Sequence, residues 1–228
     1  MQILSQKRLD TVSLCILCET QLKHESLVCS LCQTDCCQSN LEWQDILLRA
    51  DARHSIQNQY LSKLYSFNTH EYPFANWIAK FKYQGNLLAR EALYQHVLSR
   101  LALNSEFNLV EFDLVVPTPI HWTRFWLRGF NQAEWIARIV AEKLKLEYAP
   151  IVKKCKYTHQ QMSANANVRR SQLQNSFSLK PTQLKGLNIL LVDDVVTTGA
   201  TLNQIAKLLM KNKASSVSGL SLTWAKLD

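Results

Sequence analysis

A chain of 228 residues, 47% apolar and 19% charged, can bury one medium-sized core and a small appendage. No apolar run reaches the roughly 20 residues that span a bilayer, and residues 1–13 lack the greasy stretch of a secretory signal, so the expectation is a cytoplasmic protein. The net charge of +8, from 26 Lys and Arg against 18 Asp and Glu, suits an anionic partner such as nucleic acid, a phosphorylated metabolite or an acidic membrane surface, and equally a plain solvated surface.

In chain order, residues 1–40 hold six of the seven cysteines, between Cys15 and Cys37, and too little amphipathic pattern to bury a core unaided. Cys15-x-x-Cys18 and Cys29-x-x-Cys32 form two knuckle-type pairs with ten residues between them, a spacing that brings four thiolates onto one tetrahedral metal. A reducing compartment favours such a site over disulfides, and four thiolates leave no open position, so one structural zinc ion in a small ribbon is expected. The adjacent Cys36 and Cys37 do not fit one tetrahedron well, His24 reads as exposed, and the lone Cys155 reads as a small core residue. Residues 41–70, with Ile46, Leu47, Ile56, Tyr60 and Leu64 at mixed helical spacings, read as a helical connector.

Residues 71–228 carry the main domain. Pro73 opens an amphipathic helix through Phe74, Trp77, Ile78 and Phe81, and Gly85 ends it. Residues 87–103 form a second helix, and residues 113–117 a buried strand closed by proline. Arg124 and Arg128 then lie one helical turn apart after a stiff Pro-x-Pro loop, and Asn131 caps a helix running to residue 146. A short strand falls at residues 151–155 and a long polar loop at residues 156–176. Residues 188–192 form a buried strand, residues 200–210 a helix, and residues 216–224 a final strand. The alternation predicts an α/β fold, a parallel sheet with helices on both faces, preceded by the ribbon.

The segment from Ile189 to Thr201 concentrates the chemistry. An apolar strand ends in Asp193 and Asp194, and a Thr197-Thr198-Gly199 turn feeds a helix whose N–H groups face outward with the positive end of its dipole. Gly199 lets the backbone wrap closely around an anion, and the two carboxylates stand where sugar hydroxyls can donate to them. The plainer reading is a threonine cap beside a solvated strand end. Arg124 and Arg128 can fork onto phosphate oxygens, or be ordinary surface arginines.

The segment resembles the phosphoribosyl-pyrophosphate loop of type I phosphoribosyltransferases. That resemblance implies Asp193 and Asp194 at the ribose hydroxyls and at the catalytic centre, and Thr197, Thr198, Gly199 and Thr201 around the phosphate. Val116-Pro-Thr-Pro-Ile120, Arg128-Gly-Phe-Asn-Gln132 and Phe81-Lys82-Tyr83-Gln84-Gly85, with Gln161, Arg170, Asn175 and Phe177, resemble the ComF/GntX family of competence-associated proteins. The resemblance adds Lys82, Arg124 and Arg128 to the phosphate and ribose contacts. It implies the handling of incoming single-stranded DNA during natural transformation, on the cytoplasmic side of the inner membrane or peripheral to it. DNA-uptake channel or helicase proteins are the implied partners, and residues 156–176 the implied hood over the site. The linker aromatics Trp43, Tyr60, Tyr65 and Phe67 are compatible with base stacking as well as with a core. The alternative is an active transferase moving phosphoribose from phosphoribosyl pyrophosphate, with Mg2+, to an acceptor the sequence does not identify.

Overall fold

A computed structural model describes residues 13–22, 26–37, 45–52, 55–56, 58–103, 112–155 and 176–226. Five parallel strands make the main sheet: β1 (Leu64–Thr69), β2 (Leu114–Pro117), β3 (Glu147–Tyr148), β6 (Asn188–Val196) and β7 (Ser216–Trp224), in the order β1-β7-β6-β2-β3. Between β3 and β6 the chain adds an antiparallel pair, β4 (Val152–Lys154) and β5 (Phe177–Leu179). The helices are α1 (Phe74–Gln84), α2 (Leu87–Leu103), α3 (Trp122–Arg128), α4 (Gln132–Leu144) and α5 (Ala200–Lys211).

The strand-by-strand pleat sorts the core into two layers. On β6, Leu190 and Val192 join a cluster with Trp77, Ile78 and Phe81 of α1, Leu93 of α2, and Ile136 and Val140 of α4. Ile189 and Leu191, one residue out of phase, face Leu202, Ile205 and Leu209 of α5, together with Ile46 and Leu61. Both faces of the sheet are therefore covered, which is why the central strands read as unbroken apolar runs rather than alternating ones. The local signals behave as their chemistry requires. Gly85 ends α1 at φ 60, and the Asn131 side chain accepts from the Ala133 N–H at the start of α4.

Several expectations need correction. The helical reading of residues 41–70 fails at its C-terminal part, where Leu64–Thr69 is the edge strand of the main sheet, paired in parallel with β7. All but the last residue of that strand are buried, including Ser66 and Asn68, so its polar residues do not mark a solvent face. Asn68 instead meets His96 of α2 at 2.8 Å, and Ser66 donates to the Asn68 carbonyl. Tyr65 and Phe67 lie in the core and Tyr60 packs against it, which leaves these linker aromatics unable to stack on bases. The stretch holding Arg124 and Arg128, one turn apart, is a helix that starts after the Pro-x-Pro loop, its first turn capped by the His121 ring nitrogen. Cys155 is exposed, with its sulfur 3.0 Å from the Ser178 hydroxyl, because it follows the last paired residue of β4 at the domain surface. His24, Trp43, Gln161, Arg170 and Asn175, and all but the last residue, Ser176, of the hood expected at residues 156–176, lie outside the described residues. Among the described residues no helix is long and apolar enough to cross a membrane.

Candidate functional site

The parallel strands all deliver their carboxyl ends to one edge of the sheet, where ligands of open α/β folds are seated. β6 runs on to Val196, four residues beyond the expected strand end, so Asp193 and Asp194 belong to the strand itself. Consecutive strand residues point to opposite faces, and the two acids accordingly find different partners. Asp194 Oδ2 takes Lys82 Nζ, from the last turn of α1, at 2.7 Å, with both side chains more than four-fifths buried. Asp193 Oδ1 accepts the Thr118 hydroxyl at 2.8 Å and the Asp194 N–H at 2.9 Å. Asn131 donates to the Thr118 carbonyl at 2.9 Å, so the cap of α4 also fixes the residue that touches Asp193.

Electrostatics set Asp193 apart from surface carboxylates. Loss of hydration first, and the neighbouring Asp194 second, raise Asp193 to about 7, well above an ordinary aspartate. Lys154 of β4 sits close enough to feel Asp193, and burial, then the nearby Arg124 charge, pull it below the usual lysine range. His70, just past β1, is lowered by burial and by Lys82, and its Nδ1 lies 2.8 Å from the Thr223 hydroxyl. Two lysines, Lys82 and Lys154, thus frame the two acids.

Thr197 and Thr198 form the turn after β6, and Gly199, at φ 68, starts α5. No Thr197 or Thr201 side-chain bond caps the helix; Thr198 Oγ1 reaches the Ala200 N–H only at 3.4 Å. The glycine carries a left-handed backbone that a Cβ would oppose, and the N–H groups of the first turn point out of the sheet edge. Arg128, at the end of α3, lies over the Tyr83 ring at 5.2 Å, next to Lys82 in sequence. The structure therefore joins Lys82, Asp193, Asp194 and the turn directly, while Arg124 and Arg128 stand on α3 at the margin.

Residues 131–226 match the phosphoribosyl transferase domain family. Competence protein F of Haemophilus influenzae is 34% identical over 61% of this chain and 62% of its own length. The DNA utilization protein YhgH of Salmonella typhimurium is 30% identical over 90% of this chain and 82% of its own. The chain belongs to the ComF/GntX family. Among solved structures, the allosteric regulatory enzyme of purine biosynthesis overlays with a TM-score of 0.41 at 18% identity, over 63% of this chain and 30% of that one.

Sequence reasoning passed over Thr118, His70 and Lys154 in this family member. Thr118 lies inside the Pro-x-Pro segment, where its hydroxyl carried no distinguishing pattern. Lys154 arrives from a short strand whose antiparallel partner is 23 residues away at Phe177.

The ribbon supplies a separate centre. The sulfurs of Cys15, Cys18, Cys29 and Cys32 all lie within 4.8 Å of one another, with Cys18 and Cys29 at 3.6 Å. Thiolates at about 2.3 Å from a tetrahedral zinc ion stand about 3.8 Å apart, so the set fits such an ion. Backbone N–H groups of Cys29 and Cys32 donate to the sulfurs of Cys15 and Cys29, as knuckle turns do to a metal-bound thiolate. Crowding splits the thiols: Cys18 falls to about 6 through its hydrogen bond with Thr20, while Cys32 is raised, chiefly by its contact with Cys18. Ile16, Leu17, Leu27 and Val28 of the ribbon pack against the core layer of α1 and α2. A cleft of about 170 Å³ remains between them, lined by Val28, Gln33, Trp77 and His96 and apart from the acid pair.

Proposed function

We propose that this protein handles incoming single-stranded DNA in natural transformation or DNA utilisation, with its phosphoribosyltransferase-type domain serving as a sugar-phosphate binding site. The observation that carries the reading is the acid pair, held by Lys82 and Thr118 beside the Thr197–Gly199 turn at the carboxyl edge of the sheet. In this reading Asp193 and Asp194 accept sugar hydroxyls, and the Thr197–Gly199 backbone with Thr201 holds the phosphate at the helix start. Lys82 keeps Asp194 in place, and Arg124, Arg128 and Lys154 offset further phosphate charge. The names of the relatives supply the process, and the basic sequence suits a strand. Zinc in the four-cysteine site would fix the ribbon against the helices and leave it free to meet a DNA-uptake channel or helicase partner.

The test is a calorimetric titration with phosphoribosyl pyrophosphate and Mg2+, on the native protein and on Asp193→Asn with Asp194→Asn. Binding by the native protein and its loss in the double variant support the pocket; no binding by the native protein refutes it. Oligo(dT) binding that weakens with salt and survives in the double variant supports the strand surface as a separate element. Transfer chemistry has one specific observation in its favour. Lys154, which feels both Asp193 and Arg124, stands where it would steady a departing pyrophosphate. Pyrophosphate release stimulated by a nucleobase would establish that activity.

A further inference from the structure

α3 presents an unusual surface for a seven-residue helix. Trp122 is 64% exposed, Phe125 46%, Trp126 79% and Leu127 84%. By the areas that aromatic side chains bring, the patch amounts to on the order of 500 Å², the upper end of what a monomer leaves uncovered. Helical geometry sets Trp122, Phe125 and Trp126 on one side of the cylinder, three and four residues apart. A helix formed to bury apolar surface would turn these rings inward; this one turns them out.

Two observations say what covers it. The first is charge: Arg124 and Arg128 lie on the same short helix, and no carboxylate does. At 3.6 residues per turn the two arginines lie on the flank opposite the rings and toward the sugar-phosphate site, and rings on one flank with guanidinium groups on the other fit a polyanion that also offers flat apolar faces. The second is continuity with the sugar-phosphate site. Arg124 acts on Lys154, which acts on Asp193, and Arg128 lies over Tyr83, whose neighbour Lys82 holds Asp194. Tyr83 is itself 74% exposed, so aromatic and cationic groups run from the margin of the pocket onto α3.

We infer that α3 is the base-stacking platform for single-stranded DNA, with Trp122 and Trp126 carrying bases and Arg124 and Arg128, on the pocket-facing flank, drawing in the phosphate backbone. The inference rests on the strand-handling reading above and locates the surface that performs it. Stacking on a π face tolerates any base, so binding through α3 is independent of sequence.

The experiment is a titration of the full chain with oligo(dT) and with an abasic strand of equal length, followed by tryptophan emission and by anisotropy of a labelled strand. Variants are Trp122→Ala with Trp126→Ala, and the same positions changed to Phe. The alanine pair is expected to bind oligo(dT) roughly tenfold or more weakly, at an unchanged salt slope, and to lose the preference for bases over the abasic strand. The phenylalanine pair restores both. Both positions are solvent-facing, so thermal melts of all variants stay together. Oligo(dT) binding that is unchanged in the alanine pair overturns the platform while leaving strand handling intact. No oligo(dT) binding by the native protein defeats both. Trp-dependent binding to vesicles containing phosphatidylglycerol, with none to oligo(dT), assigns the patch to a membrane. Trp-dependent dimerisation in light scattering, again without oligo(dT) binding, assigns it to a second copy. Either result overturns the proposal.

Discussion

Replacing Asp193 by Asn removes a charge while keeping the shape and the acceptor for Thr118. The carboxyl is raised from 3.8 to about 7, so the folded protein holds this proton more tightly than the unfolded chain does. Between those two values the folded state binds more protons. The contribution of Asp193 is therefore most favourable below the lower value and is lost as pH rises through the window. Three units at 1.36 kcal/mol each put the full penalty on the order of 4 kcal/mol above the window. From the same linkage, about 2–3 kcal/mol of it develops between about pH 5 and about pH 8. Asp193→Asn is expected to be the more stable protein at the higher pH and to flatten that pH dependence. Urea unfolding of both proteins at the two pH values measures it directly. Parallel curves, with the native protein losing no more stability than the variant, would show that Asp193 ionises in the fold without cost and would refute the argument.

Four more expectations follow from the geometry. Sugar hydroxyls donating to Asp193 favour its ionised form, so phosphoribosyl pyrophosphate binding near pH 6 should release a proton, seen as a binding enthalpy that tracks the ionisation enthalpy of the buffer. Gly199→Ala forces a side chain into φ 68 and should cost about 1–2 kcal/mol in thermal melts while abolishing sugar-phosphate binding. Gly219→Ala sets a Cβ 2.6 Å from the fully buried Leu64 side chain, and the overpacking should cost about 1–3 kcal/mol by urea titration. Cys29→Ser, or chelation of the native protein, should remove bound zinc in elemental analysis and red-shift Trp77, which is 4% exposed under the ribbon, while far-ultraviolet dichroism keeps the sheet signal.

Much of this molecule was legible wherever one residue pattern answered to one physical demand. Pro73 and Gly85 bracket α1 because one pre-sets the backbone and the other alone tolerates its end. The two acids and the Thr-Thr-Gly turn were readable because strand, carboxylates and helix start are contiguous in sequence. β1 was not readable, since it buries Ser66 and Asn68 through bonds to a distant helix and its own backbone, and those polar residues hid the strand inside what read as a helical connector. α3 escaped for a different reason: its seven residues, with Arg124 and Arg128 on one side and Trp122, Phe125 and Trp126 on the other, make too short a window for a helical period to stand out. Lys154 and Thr118 join the site through tertiary packing alone, and no spacing announces that.

The order of the main sheet has a consequence for how the chain comes to be built. β1 has one neighbour in the sheet, β7, and Leu64 pairs with Gly219. A ribosome releases the first of these strands long before the second, at roughly 5–20 residues per second. During that interval the ribbon's two cysteine pairs are already outside and able to take up metal. β1, α1 and α2 meanwhile wait without the strand that completes their layer. Synthesis thus separates two assembly events that the finished structure shows side by side, and chaperones have their longest opening on the apolar edge of β1. A chain stopped short of β7 would keep a metal-loaded ribbon attached to a half-sheet, a species that protease susceptibility should distinguish from the whole.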